Sequence, residues 1–163
     1  MNRVAIIIES DLWKEKGDFE SWISKLQSVF DTTVKEQFNI KNVFLVNLLL
    51  TGNNEMQNLN NKFMVKNNTT NVLSFPQFAP EYFLNMPYNC SEIFLGDIAL
   101  AYEKIIEESG SFGIEFFARC THLFVHGILH LFGIGHKNEQ EEKHMQEMEI
   151  KILEQFGIKK PYG

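Results

Sequence analysis

The chain has 163 residues, 44% of them hydrophobic and 22% charged, with a formal net charge of −6. That length and apolar content suffice for one domain with a full core, here taken as residues 1–163, and leave too little for two. The negative charge argues against broad nonspecific attraction to nucleic acid phosphates, and with no basic apolar leader and no apolar run near the roughly 20 residues that span a bilayer, the expectation is a soluble, cytoplasmic protein with no membrane partner.

Residues 3–9 (RVAIIIE) are β-branched and apolar between polar neighbours, which predicts a strand. Asp18 is placed to cap a helix whose apolar face is Phe19, Trp22, Ile23, Leu26, Val29 and Phe30, spaced as core residues are. VFLVNLLL at 43–50 predicts a second, well-buried strand, and TGNN then turns into a helix around 55–65. NVLSFP predicts a third strand stopped by Pro76, followed by a loop through FAPEYFLNMPYN and a fourth strand near Glu92 to Ile98. Helices are predicted over roughly 99–108, 114–132 and 139–156, the last ending at Gly157. Strands mixed with helices early and helices alone later give an α+β or mixed α/β pattern around a small sheet, without internal repeats or a dividing linker.

Cys90 and Cys120 fit no zinc spacing and are expected as buried free thiols. From Met56 to Pro80 there is no acidic residue, while Lys62 and Lys66 stand among asparagines and threonines. This neutral-to-positive island is compatible with contact to a phosphate backbone, although from charge alone an asparagine-rich loop is the favoured reading.

The chemistry concentrates in HGILHLFGIGH. On a helix, His126 and His130 lie one turn apart on one face and converge on a single ion. Gly133 is the residue type suited to end the helix in a left-handed turn, and with Gly135 it allows His136 to return as a third ligand. His122 lies two turns, roughly 12 Å, from His130, too far to share one ion with it. Three neutral nitrogen ligands without cysteine describe a catalytic rather than a structural zinc site, with one zinc per chain and the fourth position open to water. Imidazole also suits copper, iron and nickel. His144, on a charged helix, is expected to be solvated.

These segments resemble the YbeY-type bacterial metalloproteins, single-domain endoribonucleases of ribosomal RNA maturation and ribosome quality control. The resemblance covers most of the chain through LNNKFMVKNNTTNVLSFP, LGDIALA, HLFVHGILHLFGIGH and the closing EMEIKILEQFGIKKPY. It implies an α+β fold, a small mixed four-stranded sheet packed with about five helices, with the metal site at the end of the central histidine helix. His126, His130 and His136 take the zinc positions in it. The substrate implied is ribosomal RNA of the small subunit, cut in maturing its 3′ end, with the ribosomal small subunit as partner. No DNA partner is expected, and a monomer is taken as the default, with nothing in the sequence to enforce it.

Two positions depart from the pattern. The aspartate usual before the third histidine is Gly135 here, which removes a carboxylate able to orient a ligand or water. The arginine of the Y-R-x-K segment aligns with Met64, leaving Lys66, which aligns with the family's own lysine, as the candidate catalytic cation. Arg119 is a second candidate cation, or else an i,i+4 partner of Glu115. His122 is expected either to shuttle a proton or contact RNA, or to pack beneath the site, and Asp97 either to support a ligand or to cap the next helix. Two other functions compete with the nuclease. One is a ribosome-associated RNA-binding protein with a structural zinc. The other is a metallopeptidase, whose general-base glutamate would stand where this chain has Gly127.

Overall fold

The computed structural model describes residues 2–37, 42–63, 70–85, 92–159 and 161–162. Lys66, Met64 and Cys90 therefore lie outside the described residues. Four strands form one mixed sheet: β1 (Arg3–Ile8), β2 (Phe44–Thr51), β3 (Val72–Pro76) and β4 (Ile93–Ala101). Their order is β1-β2-β4-β3, with β1, β2 and β4 parallel and β3 antiparallel to β4. Six α-helices complete the described residues: α1 (Leu12–Glu15), α2 (Phe19–Gln37), α3 (Asn53–Phe63), α4 (Tyr102–Phe112), α5 (Phe116–Leu131) and α6 (Glu139–Glu154). The architecture is the expected α+β sheet with one helix more, because the short α1 carries no periodicity long enough to read.

Three boundaries differ from the sequence expectation. The fourth strand continues to Ala101 because Ala99, Leu100 and Ala101 pair with Leu49–Thr51, Ala99 and Leu100 also with β3, and the following helix begins correspondingly later, at Tyr102. The aromatic loop contains a 3-10 helix, Pro80–Asn85. Asp18 has φ of +69° and precedes α2 in a left-handed turn.

Alternation along the strands divides the sheet into two faces. Val46, Leu48, Leu50, Leu95, Ile98 and Leu100 are fully buried on the face covered by α2 and α5. The opposite face is partly covered by α3, where Met56 and Leu59 meet Leu73, Phe75 and Ala99. α5 is the central element: twelve of its sixteen residues are buried, and it packs on β3, β4, α2, α4 and α6. Glu115 starts it by accepting from the Ala118 amide at 2.7 Å.

Two glycines permit the close approaches behind the site. Gly96 has φ of +138°, and a Cβ there would lie 2.2 Å from the Phe75 carbonyl oxygen, so only glycine fits this register shift between β2 and β4. Gly127 faces the sheet, where a Cβ would meet Ile98 at 3.1 Å and Ser74 Oγ at 3.2 Å. No helix among the described residues is long and apolar enough to cross a membrane.

Candidate metal centre

His126 and His130 stand half-buried on one face of α5, at the end away from its cap. The helix then closes in a Schellman turn: the Gly133 amide donates to the His130 carbonyl at 2.9 Å and the Ile134 amide to the Leu129 carbonyl at 3.0 Å. Gly133 takes φ of +90° and presses against Pro80, where a Cβ would come within 2.6 Å, so the sequence admits no side chain at this corner. Gly135, in contrast, does not occupy the left-handed region.

Past the turn, α6 is capped almost at once. Asn138 accepts from the Glu141 amide at 2.9 Å, and the Glu141 carboxylate accepts from the Lys137 amide at 2.9 Å. His136 is thus held between the end of one helix and the cap of the next.

The three imidazoles converge. One nitrogen from each of His126, His130 and His136 lies within 4.8 Å of the other two, and the Nε2 atoms of His126 and His130 are 2.9 Å apart. A tetrahedral zinc with bonds of ~2.1 Å separates its nitrogens by ~3.4 Å, which these distances bracket. His130 Nδ1 donates to the Ile134 carbonyl at 3.0 Å, so the neutral ring directs its lone pair at His126. Two imidazole nitrogens facing each other at 2.9 Å need a proton or a cation between them, and the donor set fits the latter. Burial, with His126 and His136 nearby, pushes the pKa of His130 down to about 4, which keeps the ring a ligand rather than an imidazolium at neutral pH.

Behind His126 stands a residue that sequence reasoning missed. Glu149 of α6 is fully buried, and its two oxygens lie 2.7 Å from His126 Nδ1 and 2.8 Å from His122 Nε2. The Tyr162 hydroxyl donates to the same oxygen that faces His122. Burial alone would raise the Glu149 carboxyl, but hydrogen bonds from His122, His126 and Tyr162 more than offset it and hold it at about 2. A signal existed: Glu149 is four residues after Met145 and three before Ile152, on the buried stripe of α6, where a lone carboxylate requires partners.

The remaining candidates are distributed as follows. His122 is 3% exposed and sits beneath the site, away from the solvent-facing cleft. Arg119 pairs with Glu108, its Nη2 at 3.1 Å, rather than with Glu115, and its Nη1 reaches His122 Nδ1 at 3.4 Å. Asp97 neither supports a ligand nor caps α4, because it lies within β4 on the sheet face opposite α5 and accepts from Asn47 at 2.9 Å. His144 is exposed, and Cys120 is a fully buried free thiol whose pKa burial drives well up. Beside the histidines a cleft of about 180 Å³ opens between His126, His136, Glu142, Gln146 and Tyr162.

The chain is similar to known proteins over most of its length. The family model described as Endoribonuclease YbeY matches residues 8–157. The Endoribonuclease YbeY of Bartonella henselae is 36% identical over all of this chain and 98% of its own length, and that of Buchnera aphidicola is 35% identical over 91% of this chain and 83% of its own. The solution structure of TM1509 from Thermotoga maritima superposes with a TM-score of 0.62 at 24% identity, covering 93% of this chain and 87% of that one, a likeness of fold.

Proposed function

Since the chain belongs to the YbeY family of endoribonucleases, we propose that it is a metal-dependent endoribonuclease that cuts ribosomal RNA of the small subunit during maturation and ribosome quality control, with one zinc ion on His126, His130 and His136. The observation that carries the metal assignment is the convergence of the His126 and His130 Nε2 atoms at 2.9 Å while Nδ1 of each is engaged by an acceptor. A zinc ion there would supply Lewis acidity toward water and a phosphoryl oxygen.

The chain's own residues supply the rest. His126 and His136 form one wall of a cleft open to solvent, so a phosphodiester can reach the ligand nitrogens' common focus. The ligand set is three nitrogens among the described residues, one short of the four that a closed structural zinc uses, and this favours catalysis over the structural-zinc alternative. Arg119 is committed to Glu108 and His122. Lys66 is therefore assigned, on sequence grounds, the task of balancing phosphate charge. The working unit is taken to be a monomer in the cytoplasm, associated with the ribosomal small subunit.

Peptidase activity is disfavoured by more than the absence of a glutamate. A Cβ at position 127 would press on Ile98 and Ser74 of the sheet, so a general-base side chain there meets the packed sheet from its first carbon.

The experiment is metal analysis of purified protein together with cleavage of ribosomal RNA. Wild type should hold one zinc and cut, and His126→Ala and His130→Ala should do neither. Full cutting by both variants would overturn the proposal, and zinc retention by wild type without any cleavage would favour the structural role.

A further inference from the structure

The histidine pair behind the site can be read as a chain of hydrogen bonds whose direction is fixed at one end. Arginine has donors and no acceptor, so where Arg119 Nη1 meets His122 Nδ1 at 3.4 Å the imidazole nitrogen accepts. The Arg119 guanidinium is itself held by Glu108, through Nε at 3.3 Å and Nη2 at 3.1 Å, and Glu108 also accepts from Asn71 at 3.0 Å. With Nδ1 accepting, neutral His122 carries its hydrogen on Nε2 and donates it to Glu149 Oε1 at 2.8 Å. That oxygen also accepts from the Tyr162 hydroxyl, so both donors converge on one side of the carboxylate. Among the described residues, Glu149 Oε2 is then left to His126 Nδ1 alone, at 2.7 Å.

We propose that Glu149 is a positioning residue that commits His126 to the tautomer with hydrogen on Nδ1 and the lone pair on Nε2, and that Arg119, through His122, sets the direction of this hydrogen-bond chain. A histidine offers a metal whichever nitrogen lacks a proton, and the choice is made by the partner of the other nitrogen. The carboxylate missing at Gly135 is thereby supplied from α6, twenty-three residues beyond the ligand it holds. His122 acts in this scheme by orienting Glu149 and makes no contact with RNA.

The inference rests on the metal assignment above, but its test separates the two. Nitrogen-15 NMR of the full-length, metal-free protein reads the tautomer of His126 directly, without zinc and without an activity assay. Wild type should show hydrogen on Nδ1, and Glu149→Gln should shift His126 toward hydrogen on Nε2. A glutamine cannot accept on both sides, so one of the two histidines loses its acceptor. Zinc affinity, measured by competition with a chromophoric chelator, should fall roughly 10- to 100-fold in Glu149→Gln. It should be unchanged in Glu147→Gln, an exposed glutamate on the same helix. Arg119→Met should also weaken zinc, by less. An Nδ1 of His126 without hydrogen in the metal-free wild type overturns the proposal even if no Glu149 variant folds, as does wild-type zinc affinity in a folded Glu149→Gln. Correct tautomers in a protein that binds no zinc would instead sink the metal assignment and leave the hydrogen-bond chain standing.

Discussion

Glu149 and His130 make the metal centre sensitive to acid in opposite chemical senses that reinforce each other. Burial holds His130 down to about 4 in the folded chain against an ordinary 6.5, so as pH falls through that window the unfolded chain takes up a proton that the folded chain refuses, and stability declines. Glu149 titrates near 2 against 4.5, so its contribution is complete above about pH 4.5 and is lost as pH falls toward 2. Thermal melts of the metal-free protein should therefore show two successive losses. His130→Asn should remove the upper one and Glu149→Gln the lower. Gly127 makes a second claim at the level of one residue. Because it lies against Ile98 and Ser74, Gly127→Glu should cost roughly 3 kcal/mol or more by burying an unpaired carboxylate, and should confer no peptide cleavage. Urea denaturation and a peptide-library digest check the two halves.

α5 and the turn that follows it set how much of the site is legible from a pattern. The i,i+4 spacing predicts that His126 and His130 share a face, and a glycine at 133 predicts the end of the helix, because both follow from local backbone geometry. The left-handed φ and the contact with Pro80 explain why that glycine stands there. Gly133→Ala should destabilise by about 2–4 kcal/mol through backbone strain and overpacking. It should also weaken zinc binding, since the Ile134 carbonyl that orients His130 and the segment carrying His136 both depend on this turn. Denaturant titration and the chelator competition measure the two effects separately. α6 was harder to read: a helix so rich in glutamate gives no hint of which carboxylate is buried unless its apolar stripe is traced through Met145, Ile152 and Leu153.

For the molecule as a whole, the site joins elements that fold over one another, so ligand and fold stabilities are linked. α5 carries two of the histidines, the turn beyond it the third, α6 the supporting carboxylate, and the segment after α6 carries Tyr162. A metal that binds only the assembled site stabilises by about 2.7 kcal/mol at a free concentration 100-fold above its Kd. In a chain of this size that should raise Tm by roughly 5–10 °C. Melts with zinc and with a chelator test this, and His136→Ala should greatly reduce the difference.

The sequence by itself determined the elements, the family and the histidine trio, because hydrophobic period, helix spacing and glycine punctuation are properties of neighbouring residues. It also located the departures at Met64 and Gly135. The tertiary structure decided what stands behind the trio. Arg119 meets Glu108 across eleven residues and Glu149 meets His126 across twenty-three, contacts created only when α5 is laid between α4 and α6. The same holds for Asp97, where pairing with β2 and β3 extended a strand past the point at which local propensity suggested a helix cap. Partners of a buried charge are chosen by packing, and packing has no period in the sequence.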